Sequence, residues 1–156
     1  NKLNKKMTKN GHLSEREKFD MGIYLSTWLG FLGVVCEGFK SLNMRLLLDN
    51  ERPREFKELL PISDGIGKLM KEHSNSLRIF RNNVFHLRES TGFIHHFFDK
   101  EVERLPWAGE LHIALSHFFS QYRIFCEVHY VINGRKGESN MIKKKVTRPK
   151  KVALRY

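Results

Sequence analysis

The chain has 156 residues, the length of a single domain with a hydrophobic core. Its formal net charge of +11 lies at the two ends of the chain. Residues 1–13 contain four Lys, and residues 133–156 contain nine Lys or Arg against one acidic residue, whereas residues 14–132 contain 15 basic and 16 acidic residues. A uniformly basic folded domain is therefore excluded.

This distribution predicts three segments. We expect a basic, flexible N-terminal segment at residues 1–13, a folded domain at residues 14–132 and a basic, disordered tail at residues 133–156. A phosphate-binding surface of the folded domain has to use a few placed cations, and the two ends add an attraction to RNA that salt screens.

The cysteines and the most apolar segment favour a cytoplasmic protein. Cys36 and Cys126 both lie in apolar helical runs, so we expect buried, reduced thiols and no disulfide framework. The run from Met21 to Cys36 is uncharged, but it is short for a bilayer span and contains three glycines. We expect neither a membrane helix nor a signal peptide.

The first long helix is predicted from a capping box, Ser14-Glu15-Arg16-Glu17. Its body, from Ile23 to Leu48, carries apolar residues around most of its circumference. Such a helix either lies at the centre of a bundle or uses one face to contact a partner subunit.

The second long helix is predicted to be capped by Ser63 or Asp64, after a polar segment between Pro53 and Pro61 that holds a short helix at most. It has two separate faces. The apolar face carries Ile66, Leu69, Met70, His73, Leu77, Phe80, Val84 and Leu87, and the polar face carries Asn75, Arg78, Asn82, His86 and Glu89.

Ser90-Thr91-Gly92 is predicted to end this helix. A shorter helix follows from Phe93 to about Glu103, and a last long helix runs from Trp107 to Val131 before Asn133-Gly134 ends it. No strand alternation or internal repeat is present in the sequence. The predicted fold is all-α, an up-and-down helical bundle of about five helices.

The candidate functional residues lie in the stretch Arg81-Asn82-Asn83-Val84-Phe85-His86. Histidine transfers protons near neutral pH, arginine holds a phosphate with several donors, and an amide can orient either of them. On an ideal helix Arg81 and His86 lie about 140° apart. They converge only if the helix ends near His86 or if a second chain completes the site.

This spacing and the order of the helices resemble the HEPN superfamily (higher eukaryotes and prokaryotes nucleotide-binding), which has an Arg-x4-6-His motif at the end of a long helix. The resemblance covers roughly residues 14–132 and is most specific at Arg81, Asn82 and His86. It implies an RNA-cleaving toxin of a toxin-antitoxin pair or an anti-phage defence protein, commonly dimeric. In one branch of the family a Tyr stands two residues after the His and is modified to silence the toxin. Arg88 stands there in this chain, so that regulation is not expected.

The resemblance also implies the chemistry, which is metal-independent cleavage of RNA through attack of a 2′-OH to leave a 2′,3′-cyclic phosphate. His86 would act as general acid or base, Arg81 would stabilise the phosphoryl charge, and Asn82 would orient His86 or bind the phosphate. Arg78 and Arg88 would bind neighbouring phosphates. Because one chain has one motif histidine, we expect a homodimer with a composite active site at its interface, restrained by an antitoxin or sensor protein.

Other interpretations use the same residues. Arg81 could pair with a carboxylate, Asn82 could cap the helix end and His86 could be a surface histidine, which would make the chain an inactive HEPN-like module that binds RNA or protein. A helical regulator that binds DNA through the basic ends is a third class. No cofactor is expected, and no metal site, because no two histidines lie three or four residues apart and no Glu-x-x-His is present.

Overall fold

The computed structural model describes residues 5–6, 9, 11–86, 92, 97–99 and 102–135. In these ranges the chain forms four α-helices and no strand, which confirms the all-α prediction. The helices are α1 (Glu15–Ser41), the single turn α2 (Met44–Leu46), α3 (Leu60–Phe85) and α4 (Arg104–Ile132). A π-helical turn (Leu47–Glu51) and a 3-10 helix (Arg54–Leu59) connect α2 to α3. Most of the short helix predicted from Phe93 to about Glu103 and most of the predicted tail lie outside the described residues.

The predicted capping box begins α1. The hydroxyl of Ser14 accepts a hydrogen bond from the Glu17 amide at 3.4 Å, and the Glu17 carboxylate accepts one from the Ser14 amide at 3.0 Å. The prediction that this helix continues to Leu48 is wrong. The helix ends at Ser41 because Asn43 adopts a left-handed conformation with φ 45°, which asparagine tolerates better than most residues.

The helix α3 begins one turn earlier than the sequence predicts. It starts at Leu60 with Pro61 in its first turn, where proline costs no hydrogen bond, and Ser63 lies buried inside the helix rather than capping it. A proline in the first turn also explains why α4 begins earlier than predicted, at Arg104 rather than Trp107, with Pro106 in its first turn. The predicted end of α4 at Asn133 is confirmed.

The three long helices run up, down and up. Glu37 and Lys40 of α1 contact Arg81 and Ser74 of α3, so these two helices are antiparallel. The start of α4 contacts the first half of α3, where the Trp107 indole donates to a backbone carbonyl of α3 at 2.8 Å. The 3-10 helix before α3 packs against the second half of α4, so α3 and α4 are antiparallel as well.

A single core fills the space between these helices. The described part of the predicted apolar face of α3, which ends before Leu87, packs against α1, the connecting turns and α4. Both cysteines are free, and burial raises the pKa of the Cys36 thiol to about 11, which keeps this thiol protonated. The fully buried large side chains are Leu29, Leu48, Leu59, Ile66, Met70, Leu77, Phe80, Phe97, Leu111 and Phe118.

The outer side of α1 is an exposed apolar face. Beyond the residues that enter the core, this helix leaves large apolar side chains in contact with solvent, and Phe31 is 60% exposed. By length and composition α1 is the one helix of the described ranges that is long and apolar enough to cross a membrane, a test that core helices of soluble proteins also pass. The exposed apolar face comprises Phe19, Ile23, Tyr24, Phe31, Val34, Val35 and Leu42.

The start of α1 should make folding sensitive to acid. The Lys6 ammonium, 2.6 Å from the Glu17 carboxylate, and the amide and hydroxyl of Ser14 lower the pKa of Glu17 from 4.5 to about 2. A lowered pKa contributes stability that is present above the ordinary value and is lost as the pH falls through about 2. We therefore expect the melting temperatures of wild type and Glu17→Gln to differ most above pH 4.5 and to converge as the pH falls towards 2.

The variant Lys6→Gln is the control for this cause. It removes the largest contribution to the lowered pKa, so the acid-induced loss should move to higher pH. If the difference in melting temperature between wild type and Glu17→Gln stayed constant as the pH fell from 4.5 to 2, the expectation would be contradicted.

Candidate active site

The motif residues lie where α3 ends. The helix stops at Phe85, and His86 is its C-terminal cap, with its amide bonded to the Asn82 carbonyl at 3.1 Å. The helix end that the sequence analysis required near His86 is therefore present. The Ser90-Thr91-Gly92 stop itself lies mostly outside the described residues.

The Arg81 side chain is held by two neighbours. One terminal nitrogen forms an ion pair with the Glu37 carboxylate of α1. Its Nε and its other terminal nitrogen donate to the Asn82 side-chain oxygen, at 3.2 and 2.6 Å. The side chain is only 19% exposed. The guanidinium is therefore fixed in orientation between α1 and α3.

Two glycines of α1 allow Arg81 and Phe85 of α3 to pack close to the α1 backbone. A Cβ atom at Gly33 would lie 3.4 Å from the Cβ of Arg81, and one at Gly30 would lie 2.5 Å from the ring of Phe85. Because glycine has no side chain, the aliphatic part of Arg81 and the Phe85 ring lie directly on the α1 backbone. The Phe85 ring also packs edge-on against Phe31, with ring centroids 5.9 Å apart. The exposed apolar face of α1 thus reaches the residue next to His86.

The structure brings two of the three predicted catalytic residues together. The side chains of Arg81 and Asn82 are bonded to each other, as described above. His86 is exposed, and its ring makes no hydrogen bond or ion pair with the residues that the structure describes. Asn82 contacts His86 through its backbone carbonyl, so its side chain orients Arg81 rather than His86.

The two predicted phosphate-binding residues have different outcomes. Arg78 is exposed on the polar face of α3 and donates to the Asn75 side chain at 3.0 Å, one turn from Asn82. Arg88 lies outside the described residues.

The described histidines do not gather into a metal site. The ring of His112 accepts a hydrogen bond from the Trp28 indole at 3.4 Å, His129 lies 3.1 Å from Glu55, and His73 packs edge-on against Trp107. In the ranges given above, no three His, Cys, Asp or Glu side chains are close enough to hold one ion. Each of these three histidines has a structural contact of its own.

Sequence analysis missed Glu37, which contacts the motif from 44 residues away. One signal was available, because Glu37 is the only charged residue between Met21 and Phe39. A lone carboxylate in an apolar helix usually has a cationic partner. Gly33 and Gly30, one and two turns before Glu37, mark the helix face where a second helix comes close.

The contacts of the motif predict unequal effects on stability. Arg81→Ala should lower the free energy of unfolding by about 1 kcal/mol, because it removes a guanidinium that is 19% exposed from the Asn82 oxygen and from the Glu37 carboxylate, which is 42% exposed and can be solvated by water. His86→Ala should change it by less than about 0.5 kcal/mol, because its ring is exposed. Urea denaturation measures both, and Arg78→Ala is a matched control at an exposed arginine. Equal losses for Arg81→Ala and Arg78→Ala would show that the Glu37 pair does not stabilise the fold.

Comparison with known proteins gives no further identification. No family model, no curated protein sequence and no solved structure matches this chain. The function of the site therefore has to be argued from its residues and their geometry.

Proposed function

We propose that this chain is a metal-independent endoribonuclease of the HEPN type, acting as a toxin of a toxin-antitoxin or anti-phage defence system. The observation that carries the proposal is the arrangement at the end of α3. There, Arg81 is fixed by Glu37 and Asn82, and His86 is exposed at the helix cap. Cleavage of RNA without a metal requires a cation that is held in orientation and an accessible proton-transfer group.

The reaction follows from these two groups. A ribose 2′-OH attacks the adjacent phosphorus, and the bond from phosphorus to the 5′-oxygen breaks, which leaves a 2′,3′-cyclic phosphate and a 5′-OH. His86 accepts the proton of the 2′-OH or donates one to the leaving oxygen. Arg81 stabilises the charge that develops on the phosphoryl oxygens.

Arg81 keeps donors for a substrate although it is paired. An arginine side chain has five N–H groups. Glu37 takes one and Asn82 takes two, which leaves two for a phosphate. The Glu37 carboxylate holds the guanidinium in place and also competes for its charge, so the site favours a ligand that makes two hydrogen bonds to it.

A second chain supplies the second proton-transfer group. The reaction needs an acid and a base, and each chain has one motif histidine. Two chains that pair through the exposed apolar face of α1 would bring both motifs together, because Phe31 in that face packs against Phe85 beside His86. The composite active site would then lie at the dimer interface.

One observation favours a second candidate function, an inactive HEPN-like module that binds RNA or protein. Arg81 is paired with a carboxylate, and its guanidinium is not bonded to the His86 ring. In this case the ion pair between Arg81 and Glu37 has a structural role only, and the polar face of α3 binds an RNA strand or a protein without cutting RNA.

Cleavage in the presence of a chelator distinguishes the two functions. The purified chain should cut single-stranded RNA in EDTA and leave a 2′,3′-cyclic phosphate, because its groups supply proton transfer and charge stabilisation without a metal. Mass spectrometry of the products reads the terminal group. His86→Ala and Arg81→Ala should each abolish cutting.

The control is His117→Ala, which changes an exposed histidine of α4 and should keep full activity. A 5′-phosphate product or a strict requirement for Mg²⁺ would contradict the mechanism. RNA binding that persists without any cutting would favour the inactive module.

The composite site predicts the activity of mixed dimers. Adding an excess of His86→Ala chains to wild-type chains should lower the activity per wild-type chain, because a mixed dimer has only one of the two motif histidines. Light scattering should give a dimer at micromolar concentration, and Phe31→Glu in the exposed apolar face should give monomers. A fully active monomer would show that the second proton-transfer group belongs to the same chain.

A further inference from the structure

A cleft of about 670 Å³ lies at the opposite end of α3 from His86. It opens between the end of α1, the turn α2 and the first half of α3. Four cationic side chains line it: Lys40, Arg45, Lys68 and Lys71. The carboxylate among its lining residues is Asp64, which forms an ion pair with Arg45.

Among the residues that the structure describes, three of these cations have no carboxylate partner. Lys40 donates to the Ser74 hydroxyl at 2.8 Å, and in the described part of the chain Lys68 and Lys71 form no ion pair. Because residues 14–132 are close to neutral overall, this concentration of positive charge is a local feature. The cleft therefore attracts an anion.

The cleft also has an apolar floor. Phe39, Met44 and Met70 line it and are each at least 94% buried. Above them Leu46 also lines the cleft and is 57% exposed, so an apolar group of a ligand can contact its side chain. A ligand that satisfies both the cations and the floor carries phosphate and an apolar ring, which is the composition of a nucleotide.

Two lysines of the cleft lie on the same face of α3 as residues of the candidate active site. On the helical wheel of α3, Lys68, Lys71, Arg78 and His86 fall within one arc of about 80°. Lys71 and His86 are about 22 Å apart along the helix axis, at about 1.5 Å per residue. A mononucleotide cannot reach from the cleft to His86, and a strand of several nucleotides can.

We propose that this cleft binds one nucleotide of an RNA strand whose backbone follows the polar face of α3 to the motif. The choice of RNA rests on the proposed function. The cleft holds the phosphate with Lys68, Lys71 and Lys40 and receives the base on its apolar floor. It thereby fixes how far along the strand the reacting phosphate lies.

The test measures binding apart from cleavage. The probe is a fluorescent oligonucleotide of about 12 nucleotides, within the range that single-strand sites cover, with every 2′-OH methylated so that it cannot be cut. Anisotropy titrations at several salt concentrations compare the wild type with Lys68→Gln/Lys71→Gln. The matched control is Lys18→Gln/Lys57→Gln, which removes the same charge from two exposed lysines away from the cleft.

The cleft variant should bind the probe more weakly and reduce the slope of log K against log salt by about 1.4, because each contact to a single strand contributes about 0.7. Equal weakening of the 12-nucleotide probe in both double variants overturns the proposal, because the lysines then act only through net charge. Weakened binding of AMP with unchanged binding of the 12-nucleotide probe overturns it as well, because the cleft is then a site for free nucleotides.

The outcome is independent of the nuclease proposal. A wild-type chain that shows the slope change and cuts no RNA supports the cleft and refutes the nuclease. A chain that cuts RNA and shows no difference between the double variants supports the nuclease and refutes the cleft.

Discussion

The close packing of α3 on α1 determines the geometry of the candidate site. Gly30 and Gly33 remove the side chains that would separate the two helices, and Phe85 and Arg81 occupy the space that results. Once the helices are this close, the Glu37 carboxylate can reach the Arg81 guanidinium. The position of the Arg81 guanidinium therefore depends on this contact.

The features of the fold that the sequence predicts well depend on residues that are close to each other in the sequence. The hydrogen bonds of Ser14 with Glu17 involve residues three apart, and the two faces of α3 follow from helical periodicity, so neither needs knowledge of distant residues. The errors have local causes too. The left-handed Asn43 broke a helix that apolar periodicity would continue, and Pro61 stood inside the first turn of α3 where the prediction placed a boundary.

The candidate site was predictable only in part. The positions of Arg81 and His86 on one helix and their angular separation follow from the sequence. The partner of Arg81 does not, because Glu37 precedes it by 44 residues and the pairing depends on which faces of α1 and α3 meet. The cleft beside Lys68 and Lys71 was not predicted either, since its lysines become a cluster only when α1 and α2 fold against α3.

The exposed apolar face of α1 and the cationic polar face of α3 respond to salt in opposite ways. Association through apolar side chains carries no charge to screen, and strongly hydrated salts such as sulfate strengthen it. Contacts between lysines and phosphates weaken as counterions compete with them. If the proposed dimer and the proposed RNA complex form, raising the sulfate concentration would therefore strengthen the dimer while it weakens the RNA complex, so a single salt titration can separate the two surfaces.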